Sequence, residues 1–273
     1  MTVHDTTRVA LLGAGVMGET LLSGLLRAGW SRDNLVITER REDRVRELRT
    51  RYAVDVLGNA EAAQLADTLV LVVKPQDMDA LLSELAPVVR PDHLVICIAA
   101  GISTDYVQQR LGAGVSVVRV MPNTPALVDQ GMTAISAGAG VSAAQLQRAS
   151  DILSSTGKVV QVAERHQDAV TALSGSGPAY IFFVVESMIE AGVLLGLPRA
   201  TATELAIQTV YGAATMLAET GTHPSILREQ VSSPAGTTVA ALRELENHKV
   251  RAAFLAAMEA AKNRSVELSS GTA

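Results

Sequence analysis

The sequence predicts an α/β chain, a doubly wound sheet followed by an all-α half, on three observations. A glycine-rich turn joins an apolar strand to a helix near the amino end. Short apolar runs then alternate with helical spacing to about residue 162, and strand patterns cease from His166 on. At 273 residues the chain is long enough for two domains. Hydrophobic residues make up 48% of it but aromatics only 3%, so the core must be built from Ala, Leu and Val. Such a core suits close helix packing better than an aromatic-rich β sandwich.

Residues 8–12 (RVALL) read as a buried strand, and Gly13-Ala14-Gly15-Val16-Met17-Gly18 follows. Residues 19–29 have helical spacing, with Leu21, Leu22, Leu25 and Leu26 apolar, and residues 35–38 form a second strand ending at Glu39. Strand, glycine turn, helix and strand in this order are the setting a Rossmann-type dinucleotide site requires. Gly13 permits the tight turn, Gly15 lets a pyrophosphate approach the backbone, and Gly18 lets helix and strand pack closely. A plain glycine turn between packed elements is the alternative.

Glu39 stands where a carboxylate would hold the ribose 2′-hydroxyl of NAD, yet Arg40 and Arg41 follow at once, and a guanidinium there suits the 2′-phosphate of NADP. All three could equally be solvated charges at a helix start. The expectation is NADPH, with NADH also accepted.

Apolar runs at 68–73, 94–99 and 115–121 supply further strands of a parallel sheet, whose carboxyl ends face the ligand crevice. The residues just beyond them are therefore candidates: Lys74 and Pro75; Ala99, Ala100 and Gly101; and Asn123, whose amide could bond a carboxamide or the substrate. Each could also be a turn device. Runs at 132–136 and 158–162 flank a helix around 142–155 and extend the sheet. This gives a nucleotide domain over residues 1–163 and a helical domain over 164–273.

In the second domain, helices are expected at 179–195, 199–219, 223–230, 237–247 and 250–268. The first of these, with Tyr180, Phe182, Phe183, Val184, Val185, Met188 and Ile189, is apolar nearly all round and must be covered on every side. A second subunit is the expected cover, so this half is read as a dimerisation domain that also completes the active site. The segment 174–178, Ser-Gly-Ser-Gly-Pro, either aims a helix start at the crevice or acts as a hinge. Residues 232–238, Ser-Ser-Pro-Ala-Gly-Thr-Thr, open directly into an amphipathic helix. Such a helix mouth suits a small anion such as a carboxylate, although Thr237 or Thr238 could simply cap its own helix.

Net charge is −5 with no basic stripe, which speaks against nucleic-acid binding. Cys97, in the run LVICIAA, reads as a buried strand residue, and no Cys/His cluster suggests a metal. His4, His93, His166, His223 and His248 are scattered without ligand spacing and are each expected at the surface. No cationic segment leads an uninterrupted apolar stretch, and Glu186, Glu190 and Arg199 interrupt the longest apolar helices, so a soluble cytoplasmic protein with no membrane partner is expected.

In order and spacing GAGVMG, VVKP, IAAG, VMPNTPA, SGSGPAY and SSPAGTT resemble pyrroline-5-carboxylate reductase, over residues 9 to about 268. The resemblance implies NAD(P)H-dependent reduction of 1-pyrroline-5-carboxylate to L-proline, in dimers assembled further into a decamer. It implies that Gly13, Ala14, Gly15, Val16, Met17 and Gly18 hold the pyrophosphate, and that Glu39 and Arg40 face the adenosine ribose. Asn59 would contact the cofactor, and Val73, Lys74, Pro75 and Ala99 to Gly101 would line the nicotinamide side. Ser233, Gly236, Thr237 and Thr238 would grip the substrate carboxylate and ring nitrogen; beside this, Ser176 is expected on the substrate and the Thr238 hydroxyl is expected to bond the ring nitrogen and help deliver the proton, with capping alone as the alternative. One departure stands out: the signature usually reads SSPGG, and Ala235 replaces its first glycine. If that position needs positive φ, alanine carries a cost there, which Gly236 is expected to make tolerable.

Two other readings remain at this point. A β-hydroxyacid-type NAD(P)-dependent dehydrogenase shares the architecture but would use a lysine of the helical half as acid or base; Lys249 and Lys262 lie in a polar carboxyl-terminal context. A non-catalytic nucleotide-binding sensor would bind the dinucleotide without turnover.

Overall fold

The structure is a computed structural model that describes residues 7–112 and 114–270. The chain forms two compact units, one running to Ser176 and taking in the chain again from Ala261, the other comprising Gly177–Ala260.

The first unit is built on an eight-stranded sheet. Its strands are β1 (Val9–Leu12), β2 (Leu35–Thr38), β3 (Asp55–Leu57), β4 (Thr68–Leu71), β5 (Leu94–Cys97), β6 (Ser116–Met121), β7 (Gly131–Ala137) and β8 (Gly157–Gln161), in the spatial order β3-β2-β1-β4-β5-β6-β7-β8. Helices connect them: α1 (Val16–Arg27), α2 (Glu42–Tyr52), α3 (Asn59–Leu65), α4 (Met78–Leu85), α5 (Thr104–Leu111) and α6 (Ala143–Leu153). Alternate side chains of a strand leave opposite faces. Val9 and Leu11 of β1 accordingly join one buried cluster with Leu21, Leu25 and Ile152, while Ala10 and Leu12 join another with Met78, Leu81 and Val107. Both faces of the sheet are therefore covered, which is why its strands read as unbroken apolar runs.

Two features depart from the sequence reading. β3 was not expected: it is a three-residue edge strand that begins with the exposed Asp55. β7 runs antiparallel to β6, while β8 returns parallel to β7. Residues 122–130 are too short a connection for a parallel crossover, which needs about a dozen residues or more.

Beyond the sheet come a short helix, α7 (Gln167–Val170), and one π-helical turn over Thr171–Gly175. They belong to the first unit, and a partly buried ionic staple ties the start of this stretch to the sheet. The Arg119 guanidinium, 9% exposed, lies 3.6 Å from both Glu164 Oε1 and Asp168 Oδ1. Thr104 donates to Glu164 through its N–H (2.8 Å) and its hydroxyl (2.6 Å), and Ser265 donates to Asp168 at 2.8 Å.

The second unit contains α8 (Gly177–Leu194), α9 (Arg199–Thr220), α10 (Pro224–Gln230), α11 (Thr237–Asn247) and most of α12 (Val250–Ser270). α8 has no buried residue within the chain: Phe182 is 66% and Phe183 70% exposed. By length and composition alone the helical stretch Glu164–Leu194 could cross a bilayer, so Glu186 and Glu190 do not remove it from that class. Its apolar surface needs a cover that one chain does not supply.

Two further expectations meet the structure here. Cys97 is buried, and desolvation pushes its thiol up to about 11. His93 is not at the surface: it is fully buried, and its Nδ1 accepts the Arg90 backbone N–H at 3.1 Å. His166, His223 and His248 are exposed, and His4 lies outside the described residues.

Candidate active site

A cavity of about 370 Å³ opens at the carboxyl ends of β1, β2 and β4. In the strand order, β1 lies between β2 and β4, the point where the connections diverge to the two sides of the sheet and ligands bind in open α/β folds. Of the residues singled out in the sequence, Gly13, Ala14, Gly15, Glu39, Arg40, Asn59 and Val73 line this cavity.

The glycine turn fits a pyrophosphate. Gly13 has φ +118°, and a Cβ there would stand 2.7 Å from the Val72 carbonyl oxygen. Its N–H donates to Thr38 Oγ1 at 3.0 Å, which fixes the turn to the end of β2. A Cβ on Gly18 would come within 2.0 Å of Gly13 O, so helix and turn are in contact through backbone. A Cβ on Gly15 would meet nothing within 4 Å, so its backbone is left open on a cavity wall. Gly15 is also the N-cap of α1 and carries no side chain to cap it, which leaves first-turn N–H groups for an anion.

At the other end of the cavity the charges are arranged unlike the simple NAD pattern. Glu39 lines the cavity with its carboxylate already engaged: its Oε1 accepts the backbone N–H groups of Arg40 (2.8 Å) and Arg41 (3.0 Å), and its Oε2 lies 3.6 Å from Arg41 Nη2. Desolvation opposes ionisation of Glu39. The two N–H groups and the Arg41 guanidinium outweigh it and hold the carboxyl below its usual range. Arg40 is largely exposed, and its Nη2 lies 3.8 Å from Glu84 Oε2, the same oxygen that accepts from Asn59 Nδ2 at 2.9 Å.

Sequence reasoning missed Thr38, Leu57, Gly58, Val72, Asp77, Ala80, Leu81 and Glu84 among the lining residues. A signal for some of them existed: 77, 80, 81 and 84 follow the i, i+3, i+4, i+7 spacing of one helix face. Several singled-out residues do not line the cavity. Val16, Met17 and Gly18 belong to α1, Lys74 and Pro75 are exposed at the 3₁₀ turn Pro75–Asp77, and Ala99, Ala100 and Gly101 follow β5, with Ala99 buried. Asn123 is not a free side chain. Its Oδ1 accepts the Met132 N–H at 2.8 Å and its Nδ2 donates to Ser174 O at 3.2 Å, so the amide clamps the end of β6 to β7 and to the π-turn.

Ser176 ends that π-turn, half-buried, with its N–H donated to Thr171 O at 2.8 Å. The second unit presents the turn before α11 as an element of its own. Gly236, not a threonine, is the N-cap, and no side chain caps the helix. Among the described residues neither Thr237 nor Thr238 makes a side-chain hydrogen bond, so self-capping does not explain them. Gly236 N–H donates to Ser233 O at 3.0 Å, and a Cβ on Gly236 would be 2.5 Å from Ser233 Oγ. Ala235 has φ +57°, so the position where the signature usually has glycine does require the left-handed region.

Comparisons with known proteins agree with this geometry. Residues 164–268 match the family model for pyrroline-5-carboxylate reductase dimerisation, and residues 8–101 match that for NADP oxidoreductase coenzyme F420-dependent. The chain is 50% identical over 266 residues to pyrroline-5-carboxylate reductase of Corynebacterium melassecola, covering 96% of this chain and 98% of that protein. It is 43% identical over 284 residues to the enzyme of that name in Mycobacterium tuberculosis, with 96% of each covered. The Coxiella burnetii pyrroline-5-carboxylate reductase structure superposes with a TM-score of 0.92 at 37% identity, covering 97% of this chain and 99% of that one. That of Plasmodium falciparum pyrroline carboxylate reductase with NADP bound gives 0.86 at 28% identity, covering 97% and 98%. With a match to the dimerisation family model over its helical half and these relatives along nearly its whole length, the chain belongs to the pyrroline-5-carboxylate reductase family.

Proposed function

We infer that this chain is an NAD(P)H-dependent oxidoreductase that reduces 1-pyrroline-5-carboxylate to L-proline, the last step of proline biosynthesis. The observation that carries this reading is the glycine-lined cavity at the β1/β4 switch point, in a chain 50% identical to a reductase of that name. Family membership favours this reading over the β-hydroxyacid dehydrogenase and over the non-catalytic sensor.

When bound, the reduced nicotinamide supplies a hydride to the C=N carbon. The chain's residues bind, orient and manage the proton. The backbone of Gly13 to Gly18 takes the pyrophosphate, Arg40 and Asn59 the adenosine ribose, and Val73 to Pro75 with Ala99 to Gly101 the nicotinamide side. Glu39 acts by holding the loop of Arg40 and Arg41, and Asn123 by positioning the strand ends, rather than by direct contact. First-turn N–H groups of α11, with Ser233 and Gly236 shaping the turn, hold the substrate carboxylate, and Ser176 adds a hydroxyl. The Thr238 hydroxyl donates a hydrogen bond to the unprotonated ring nitrogen and relays a solvent proton to it, giving the iminium that accepts the hydride. A protonated cyclic imine is already a strong hydride acceptor, so orientation carries most of the catalysis.

The functional division falls at 163/164, where the dimerisation match begins. A second copy covers α8, the dimers assemble into a decamer, and the enzyme is cytoplasmic. Loss of NADPH absorbance on adding pyrroline-5-carboxylate, with L-proline as product, tests the reading. Tight NADPH binding without turnover would return it to the sensor.

A further inference from the structure

The adenosine end of the cavity holds an acid that the family resemblance did not single out. Glu84, on the helix face shared with Asp77, Ala80 and Leu81, lines the cavity together with Arg40 and Asn59. Its Oε2 accepts from Asn59 Nδ2 at 2.9 Å and lies 3.8 Å from Arg40 Nη2. Among the described residues its Oε1 has no hydrogen bond. Glu39, by contrast, has its carboxylate occupied by two backbone N–H groups and the Arg41 guanidinium.

We propose that Glu84 is a specificity-determining residue: by holding Arg40 and Asn59 it reduces the preference for the 2′-phosphorylated dinucleotide over the unphosphorylated one. This rests on reading the cavity as the dinucleotide site. A phosphate monoester carries about −1.5 to −2 charge at neutral pH. To bind it, Arg40 must exchange a carboxylate for the phosphate, and Glu84 is then left without its cation, facing an added anion. The unphosphorylated ribose asks for no exchange. Its 2′-hydroxyl can donate to a carboxylate, and Glu84 Oε1 is open to accept it, whereas both Glu39 oxygens already face a donor: Oε1 two backbone N–H groups, Oε2 the Arg41 guanidinium at 3.6 Å. The acid that NAD-type sites place at the end of β2 is in this chain functionally displaced to α4. Both dinucleotides are therefore accepted through one cavity, each at the partial expense of the other.

The test is calorimetric titration of NADP⁺ and NAD⁺ into the full-length protein, wild type and Glu84→Gln, so that no turnover is involved. Glu84→Gln keeps the shape and the bond to Asn59 while removing the charge. It should tighten NADP⁺ and leave NAD⁺ unchanged or weaker, raising the NADP⁺ to NAD⁺ affinity ratio about two- to fivefold, as expected for one solvent-exposed charge pair. The gain should shrink as salt is raised, because the charges are solvent-accessible. Two controls separate this idea from the reading beneath it. Arg40→Ala should weaken NADP⁺ selectively, and Gly15→Val should weaken both dinucleotides. If the controls behave so but Glu84→Gln leaves the ratio unchanged, or shifts it toward NAD⁺, Glu84 does not set selectivity. If all three variants bind both dinucleotides like wild type, the cavity is not the dinucleotide site and the proposal fails with it.

Discussion

The Gly13 N–H donates to Thr38 Oγ1 at 3.0 Å, joining the glycine turn after β1 to the end of β2 through a threonine that is almost fully buried. The bond matters because Gly13 is held at φ +118° on the cavity wall, where the turn's shape sets the direction of the α1 N–H groups. Thr38→Val removes the acceptor while keeping the volume, leaving a poorly solvated donor at a cost of about 1–3 kcal/mol. The expected result is a lower unfolding midpoint in denaturant and a raised KM for NADPH with kcat little changed. Thr38→Ser should restore both. An unaltered KM in Thr38→Val would separate the turn from cofactor binding.

Ala235 sits at φ +57°, a conformation that costs an L-residue about 1–2 kcal/mol and glycine almost nothing. Glycine also adds unfolded-state entropy, which offsets part of the gain. Ala235→Gly should therefore stabilise the protein by about 0.5 kcal/mol, and Ala235→Val should destabilise it, both read by equilibrium unfolding. Destabilisation by Ala235→Gly would mean that the turn is not left-handed in solution.

These residues show how far the sequence was legible. The strand–glycine–helix order placed the cavity because each glycine answers a steric demand that spacing alone expresses. What stayed hidden depends on where side chains turn. Glu39 was placed at the right strand end, but nothing in the string Glu-Arg-Arg says that the carboxylate bends back onto its neighbours' N–H groups. Asn123 was found as a strand-end residue, yet its amide is engaged with Met132 and Ser174, the latter 51 residues away. Glu84 lies between two apolar strand runs in a stretch that was not assigned in detail, and its helix reaches the cavity only once β2 and β4 flank β1. His93 was expected at the surface, and its burial follows from the turn that leads into β5.

His93 makes stability pH-dependent. Desolvation lowers its pKa, helped by the Arg90 charge and opposed by Asp92 and Asp67. The unfolded chain thus binds the proton more readily than the folded one, and stability rises with pH wherever that holds. The contribution is complete above the ordinary histidine range, about 6.5, and is lost as pH falls from there toward the lowered folded-state value. Melting curves from pH 7.5 to 5 should show a falling Tm, with a smaller fall in His93→Asn, which keeps an acceptor for the Arg90 N–H but does not titrate. Parallel slopes in the two proteins would assign the effect to other groups.

Thr238 bears the heaviest chemical assignment. Thr238→Ala should leave NADPH affinity and unfolding midpoint near wild type while lowering kcat/KM for pyrroline-5-carboxylate about a hundredfold, the low end for a proton-transfer group. Thr238→Ser should recover most of the loss. A Thr238→Ala enzyme with unchanged kcat/KM would reduce the residue to a helix-start filler.

The central claim is that the glycine-lined cavity takes the dinucleotide and the uncapped start of α11 takes the substrate carboxylate. A crystal structure of the protein with NADP⁺ and L-proline tests it most directly. The account expects the pyrophosphate against the N–H groups that follow Gly13, and the proline carboxylate within hydrogen-bond distance of backbone N–H groups of residues 237–239, with the ring nitrogen on Thr238 Oγ1. Ordered proline bound elsewhere, with residues 233–238 touching no ligand in any protomer, would contradict it.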